Sequence, residues 1–129
     1  MKIAIPLFGN RISPRFDFSP EIWIIEVESG QVVRQERLPV AALELSQRLD
    51  QLALKGVSQL ICGGIDMFCS SQLTGKGIDI LHNVAGEAEI AVHLFLKGRL
   101  RPGFCCEGRG RKRSCGWKKA PPWKEEIDD

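Results

Sequence analysis

The strongest constraint on the fold is the alternation, after residue 40, of helix-length amphipathic segments with short apolar runs. Helical periodicity predicts three helices, which run from Ala42 to a stop at Gly56, over residues 67–76, and over residues 87–97. Strand-length apolar runs separate them at residues 57–62 and 78–82. Because strand–helix–strand connections are right-handed in nearly all known folds, these strands should be parallel neighbours of the first strand.

Three predicted strands precede these units. Residues 2–8 and 21–28 are rich in Ile, Val, Phe and Trp, and residues 31–39 alternate apolar with charged side chains in the manner of an edge strand. The order β-β-β-α-β-α-β-α predicts an α/β class with helices on both faces of the sheet. Loops at the carboxyl ends of parallel strands line a common crevice. Here those loops are residues 9–20, 62–67 and 82–86.

Charge divides the chain into a body and a tail. Residues 1–96 carry 8 Lys/Arg and 11 Asp/Glu, which gives −3, whereas residues 97–129 carry 10 and 5, which gives +5. We therefore expect one domain at residues 1–100 and a basic tail at residues 101–129. No apolar stretch has the length of a membrane span, so a cytoplasmic location with reduced thiols is expected. Five cysteines, an odd number, favour ligands or free thiols over a disulfide framework.

Several short motifs resemble one known family. KIAIP at residues 2–6 is followed by a Ser-Pro-x-Phe loop, the fourth strand ends in Cys-Gly-Gly-Ile at residues 62–65, and Gly86 and a Gly-Arg-Leu at residues 98–100 come later. These motifs resemble the dinitrogenase iron-molybdenum cofactor biosynthesis family, of the NifX and NifB C-terminal-domain type. The resemblance covers roughly residues 1–100.

The resemblance implies a fold and a function. The fold would be a ribonuclease H-like three-layer α/β/α architecture, with a five-stranded mixed sheet of order 3-2-1-4-5 and strand 2 antiparallel. The function would be that of a carrier or scaffold for an iron-sulfur or iron-molybdenum type cluster or its precursor, with cluster assembly or acceptor proteins as partners. The alternative is a regulatory or interaction module without metal, whose basic tail binds an acidic protein or RNA.

The predicted cofactor-binding residues lie in two of the crevice loops. They are Asn10, Ser13, Arg15, Phe16, Gly63, Gly64 and Ile65. Arg15 stands where members of the family usually have His, and a guanidinium does not ligate a metal but can hold an anion by forked hydrogen bonds. The glycine pair could let backbone N–H groups approach a ligand at a helix start, or could simply form a tight turn.

The predicted metal ligands are Cys69, His82, Cys105, Cys106 and Cys115. Cys69 falls in the first turn of a predicted helix, where the helix dipole should lower the thiol pKa, although a buried cysteine is more often a small core residue. His82 ends a strand at the third loop and is otherwise a surface residue, whereas His93 is predicted to be solvated. The tail cysteines lack paired C-x-x-C spacing, so their role as ligands remains a hypothesis.

Two other function classes find little support. A two-metal nuclease needs several carboxylates on neighbouring strands, but residues 2–8 contain none, and no Ser-His-Asp order, phosphate loop or H-E-x-x-H pattern occurs. We therefore predict that the protein is not an enzyme. The basic run at residues 109–113 could bind nucleic acid, but short basic runs are usually solvated, so nucleic acid is an unlikely partner.

Overall fold

A computed structural model describes residues 1–106 of the protein. In chain order its elements are β1 (Lys2–Phe8), β2 (Arg11–Ile12), a 3-10 turn (Phe16–Phe18), β3 (Glu21–Glu28), β4 (Gln31–Pro39), α1 (Leu45–Leu54), β5 (Gln59–Ile61), α2 (Met67–Gly75), β6 (Asp79–Leu81), β7 (Ala85–Gly86), α3 (Ala88–Leu96) and β8 (Cys105–Cys106). The mixed α/β class that the alternating pattern predicts is confirmed.

The main sheet has the strand order β4-β3-β1-β5-β6. Strand β3 is antiparallel to both β1 and β4, whereas β5 and β6 continue from β1 in parallel. The short strand β2 folds back on the end of β1, where Ile12 lies opposite Leu7. The carboxyl ends of β1, β5 and β6 therefore share one edge of the sheet.

Alternating side chains of β1 enter two separate cores. Ile3 and Ile5 pack with α3, which contributes Ala91 and Leu94, whereas Ala4 faces the opposite core. That second core contains buried residues of both α1 and α2, so the sheet lies between two helical layers. Within the described part of the chain, no helix is both long enough and apolar enough to cross a membrane.

Two helical details differ from prediction. Helix α1 begins at Leu45 rather than at Ala42, because the Leu43 N–H donates to the Val40 carbonyl in a turn and Glu44 forms a capping box with Gln47. His93 is half-buried, so the prediction of a solvated side chain is wrong. Asp66 is the N-cap of α2 as predicted, since its carboxylate accepts from the Cys69 N–H at 2.7 Å.

The segment of residues 103–106 is docked on the body of the protein. Strand β8 pairs in parallel with β7. The Ala85 N–H donates to the Phe104 carbonyl at 3.0 Å, and the Glu87 N–H donates to the Cys106 carbonyl at 2.7 Å. Gly86 has a φ of +106°, and a Cβ at this position would overlap the Cys106 backbone. The remaining residues of the predicted tail, 107–129, lie outside the described residues.

Candidate functional site

Three loops meet at the shared edge of the sheet, and we call them together the lip: residues 9–20, 62–67 and 82–86. Backbone hydrogen bonds join them directly. The Phe16 N–H donates to the Gly64 carbonyl at 2.9 Å, and the Asn83 N–H donates to the Gly63 carbonyl at 2.9 Å. The Ala88 N–H donates to the Asn10 carbonyl at 3.1 Å, which ties the first loop to the start of α3. The predicted convergence of the three loops is confirmed.

The glycine pair allows the first two loops to pack closely. A Cβ on Gly63 would lie 2.7 Å from the Ser13 carbonyl oxygen, and one on Gly64 would lie 3.0 Å from the Pro14 carbonyl oxygen. The Gly64 N–H already donates to that Pro14 oxygen at 2.6 Å. The Gly64 N–H is therefore already occupied, and of the two interpretations of the glycine pair the tight turn describes this N–H better.

Arg15 lies at the centre of the lip. Its guanidinium makes two hydrogen bonds to the Asp17 carboxylate, each of 3.2 Å, and stands 5.1 Å from the centroid of the Phe18 ring. The hydrogen bonds from Arg15 to Asp17 raise the pKa of Arg15. On one side lies a hollow of about 360 Å³ lined by Arg15, Asp17, Gly64, Ile65 and Asp66. We call this space the Arg15 hollow.

Two carboxylates share the Arg15 hollow with one guanidinium. Hydrogen bonds from the backbone N–H and the side chain of Cys69 lower the pKa of Asp66, and Arg15 lowers it further, so Asp66 is ionised at neutral pH. Asp17 is held by Arg15. The charge of Arg15 is therefore largely balanced on this side of the lip.

A second depression of about 450 Å³ lies on the other side of Arg15, and we call it the apolar groove. It is lined by Phe8, Arg11, Ile12, Ser13, Pro14, Arg15 and Phe18. Among the described residues, the lining includes two arginines and no carboxylate. Unlike the Arg15 hollow, this groove thus combines apolar side chains with two guanidinium groups among its described lining residues.

Three predicted site residues shape the lip from within. The Asn10 side-chain oxygen accepts from Arg37 Nη2 at 3.0 Å, and the buried Ser13 hydroxyl donates to the Arg15 carbonyl at 2.9 Å. Phe16 is buried in the core shared by α1 and α2. These contacts fix the loop that presents Arg15, while the cofactor-binding role of the three residues remains a prediction.

The lip is supported by a residue that the sequence pattern did not single out. Arg48 of α1 is buried, and its Nη1 donates to the Ser19 carbonyl at 2.6 Å and to the Phe16 carbonyl at 3.3 Å. Burial lowers the pKa of this guanidinium. The signal was available, because residue 48 lies four residues before Leu52 on the apolar stripe of the helix, where a charged side chain needs buried partners.

The thiol of Cys69 faces the core. Cys69 is buried beside Leu73 on the inner side of α2, and burial, with a smaller contribution from Asp66, raises its pKa to about 12. Burial likewise raises the pKa of Cys62 to about 12. The prediction of a lowered pKa at Cys69 is wrong, because desolvation disfavours the thiolate more than the start of the helix favours it.

The other predicted metal ligands are dispersed. His82 is exposed at the third loop, Cys106 is buried against Gly86, and Cys115 lies outside the described residues. Cys105 is half-buried and disulfide-bonded, contrary to the expectation of free thiols, so it could ligate a metal only after reduction. Within residues 1–106, no group of three or more His, Cys, Asp and Glu side chains is arranged to hold a metal ion.

Burial of Cys62 predicts an alkaline loss of stability. Its pKa is raised on folding, so its contribution is complete below about pH 9 and is lost as the pH rises toward 12. In that interval this thiol alone should lower the free energy of unfolding by about 1.4 kcal/mol per pH unit. Urea unfolding at pH 8 to 10.5 should therefore show a shallower alkaline decline for Cys62→Ala than for the wild type. Equal slopes of stability against pH in the variant and the wild type would contradict a raised pKa at Cys62.

Comparison with known proteins places this geometry in a family. A family model described as dinitrogenase iron-molybdenum cofactor matches residues 1–98. The chain belongs to this family. Among its relatives, an uncharacterized protein of Methanocaldococcus jannaschii is 29% identical over 105 residues, which cover 78% of this chain and 89% of that protein.

Solved structures share the fold of this member of the dinitrogenase iron-molybdenum cofactor family. The crystal structure of PH0822 superposes with a TM-score of 0.75 at 21% identity and covers 79% of this chain and 94% of that one. The crystal structure of a Methanocaldococcus jannaschii protein, provisionally described as a dinitrogenase, has a TM-score of 0.66 at 22% identity, with coverage of 78% and 91%.

Proposed function

We propose that this protein is a carrier or scaffold that binds an iron-sulfur or iron-molybdenum type cluster, or its precursor, at the lip. The observation that carries the proposal is the family match over residues 1–98, because that family is described by such a cofactor. The convergence of the three loops supports the lip as the place of binding. We further propose that the protein acts in the cytoplasm, without catalysis, and exchanges its cargo with assembly or acceptor proteins. We also propose that the fold is ribonuclease H-like, which the strand order β4-β3-β1-β5-β6 supports.

Charge rather than a set of protein ligands would hold the cargo. Metal–sulfur clusters are commonly anionic, and their sulfur atoms accept hydrogen bonds. Arg15 is the exposed cation shared by the Arg15 hollow and the apolar groove. The groove side, whose lining within residues 1–106 has no carboxylate, suits an anion better than the hollow side, where Asp17 and Asp66 would repel it.

Few ligands would come from the described residues. His82 is exposed and could supply one imidazole, whereas Cys69 and Cys106 would first have to leave the core. The cargo would therefore keep most of its own sulfide or thiolate ligands. A guest held mainly by charge is released more readily than one bound by four protein thiolates, which suits a carrier.

Asp17 would compete with the cargo for the Arg15 guanidinium. Each oxygen of the Asp17 carboxylate accepts one of the two hydrogen bonds from Arg15, so binding of an anion requires Arg15 to share or exchange this partner. Removal of the carboxylate charge should free the guanidinium. The affinity for an anionic cluster should then rise.

Two substitutions with opposite effects test the proposal. We expect Arg15→Ala to weaken retention of a preformed, thiolate-capped iron-sulfur cluster by at least about tenfold, because a charge-assisted hydrogen bond is lost. We expect Asp17→Asn to strengthen retention of the same cluster severalfold. Cluster retained after anaerobic desalting is measured by absorbance and iron content. Arg34→Ala, an exposed change on the edge strand β4, is the matched control.

Wild-type protein that retains no cluster would refute the proposed function. Retention that is equal in Arg15→Ala and Arg34→Ala would refute Arg15 as the binding group. A variant with serine at residues 105, 106 and 115 separately tests whether those thiols contribute ligands. Unchanged iron content in that variant would eliminate them.

A further inference from the structure

A cavity of about 440 Å³ lies beside the start of α3. Its lining includes Trp23 of β3, Glu36 and Arg37 of β4, and Glu87 and Glu89 at the start of α3. We call it the Trp23 cavity. Among the described residues it shares no lining residue with the Arg15 hollow or the apolar groove, so it is a separate feature of the surface.

Within residues 1–106, two carboxylates in the lining have no partner. Neither the half-buried Glu87 nor the exposed Glu89 makes a side-chain hydrogen bond or an ion pair there. The other charges of the lining are paired: Glu36 lies 3.3 Å from Lys55, and Arg37 lies 3.5 Å from a glutamate of β3. The described lining of the cavity therefore has uncompensated negative charge.

Trp23 gives the cavity an aromatic wall. The indole N–H donates to the Gln35 side-chain oxygen at 3.0 Å, and the ring packs against the core on the α3 side of the sheet. An indole held close to carboxylates suits a guanidinium or ammonium group, because the ring attracts a cation and the carboxylates pair with it. The expected occupant is therefore a cation with an apolar stem, such as an arginine side chain.

The course of the chain indicates which cations are nearest. Cys106 is the last described residue, and its carbonyl accepts from the Glu87 N–H at 2.7 Å, so the chain continues from a point beside the cavity. In sequence, residues 109–113 are Arg-Gly-Arg-Lys-Arg. Covalent geometry keeps the first of them within about 11 Å of Cys106 and the last within about 25 Å. The basic run therefore begins within reach of the cavity.

We propose that the basic run at residues 109–113 docks in the Trp23 cavity of the same chain, with a guanidinium against the Trp23 indole and the Glu87 and Glu89 carboxylates. Tethering favours this occupant, because a segment attached a few residues away has an effective concentration on the order of millimolar, at which weak contacts suffice. Docking would make the run unavailable to an acidic macromolecule until that partner displaced it. The proposal does not depend on the cluster-binding function.

Limited trypsin digestion of the full chain tests the docking. Trypsin cleaves after Arg and Lys, so initial cleavage within residues 109–113 can be compared by mass spectrometry with cleavage after Lys118 and Lys119. Glu87→Gln combined with Glu89→Gln should speed cleavage in the basic run about fivefold relative to that reference, because surface ion pairs and a cation–π contact contribute modestly. Raised salt should speed it in the wild type but not in the double variant.

Asp50→Asn combined with Asp79→Asn is the matched control, because it removes the same number of charges. Both residues are exposed, on α1 and at the start of β6, and neither lines the Trp23 cavity. Cleavage should stay at the wild-type rate. Helix α3 should remain intact in the Glu87/Glu89 variant, because Glu87 is its N-cap without a side-chain capping hydrogen bond. Circular dichroism checks that it does.

Quenching of Trp23 locates the docked run. With Trp117→Phe and Trp123→Phe, Trp23 is the only tryptophan of the chain. Neutral side chains in place of the three arginines of the run should then raise the accessibility of the Trp23 indole to acrylamide, because the cavity loses its occupant. The arginine substitutions are Arg109→Gln, Arg111→Gln and Arg113→Gln.

Equal cleavage rates in the Glu87/Glu89 variant and the wild type, or in that variant and the aspartate control, would overturn the proposal. So would an accessibility of Trp23 that the arginine substitutions leave unchanged. Protection that falls on dilution of the protein would mean that a second copy supplies the run, and would overturn docking within one chain. A labelled polyglutamate probe should bind the Glu87/Glu89 variant more tightly than the wild type, and equal affinities would overturn the competition with acidic partners.

Discussion

Replacement of Arg48 by methionine should lower the free energy of unfolding by about 3 kcal/mol. Methionine fills much of the same volume but leaves the Ser19 carbonyl without the donor that satisfies it in the buried interior, whereas the Phe16 carbonyl keeps its bond from the Ser19 hydroxyl at 3.0 Å. The loss of stability comes mainly from this uncompensated acceptor rather than from lost apolar contact. Urea unfolding at pH 7, followed by circular dichroism, measures the change.

The control for Arg48→Met is Arg34→Met, at an arginine whose side chain is 82% exposed. That change should alter the free energy of unfolding by no more than about 0.5 kcal/mol. Arg48→Lys keeps the charge but loses the forked donors, so its effect should be intermediate. A similar, small effect in all three variants would mean that Arg48 does not secure the turn beneath Phe18 and Asp17.

Gly86→Ala should lower the free energy of unfolding by about 3 kcal/mol and should release residues 103–106 from the body of the protein. The added Cβ would overlap the Cys106 backbone, and the φ of +106° is strained for any residue with a side chain. Hydrogen exchange gives a local readout of the effect. The amides of Ala85 and Glu87, which donate to the Phe104 and Cys106 carbonyls, should exchange much faster in the variant.

Gly75→Ala is the matched control for Gly86→Ala. A Cβ on Gly75 meets no atom within 4 Å, and the residue lies at the end of α2. Alanine there should be neutral or should stabilise the helix by up to about 1 kcal/mol. If Gly86→Ala were as stable as Gly75→Ala and kept slow exchange at Ala85, the pairing of β7 with β8 would not depend on the glycine.

Local signals predicted the elements that carry the lip. The run of Ile and Leu in β1 and the position of Asp66 before α2 are short-range features, and both correspond to the structure. Helix α2 shows the limit of such signals. Its first three residues are all apolar, yet Cys69 and Leu73, four residues apart, face the core, whereas Met67 and Phe68 remain outside. Only the i, i+4 pair distinguishes the buried side.

Contacts between distant segments could not be predicted from the pattern. Strands β7 and β8 have two residues each, so neither shows a period, and their pairing depends on the missing side chain at Gly86. The raised pKa of Cys69 likewise depends on contacts between segments that are distant in sequence. The proximity of a helix start is visible in sequence, but the desolvation that outweighs it depends on the packed sheet.

Two main-chain hydrogen bonds join the first two loops of the lip: Phe16 to Gly64, and Gly64 to Pro14. Neither bond depends on which side chain residue 15 carries. The side chain at residue 15 can therefore be exchanged, for instance by substitution of histidine for arginine, without loss of these two bonds. The side chain that would contact the proposed guest can thus change while the backbone of the two loops stays the same. A single substitution at residue 15 should be enough to alter which guest binds.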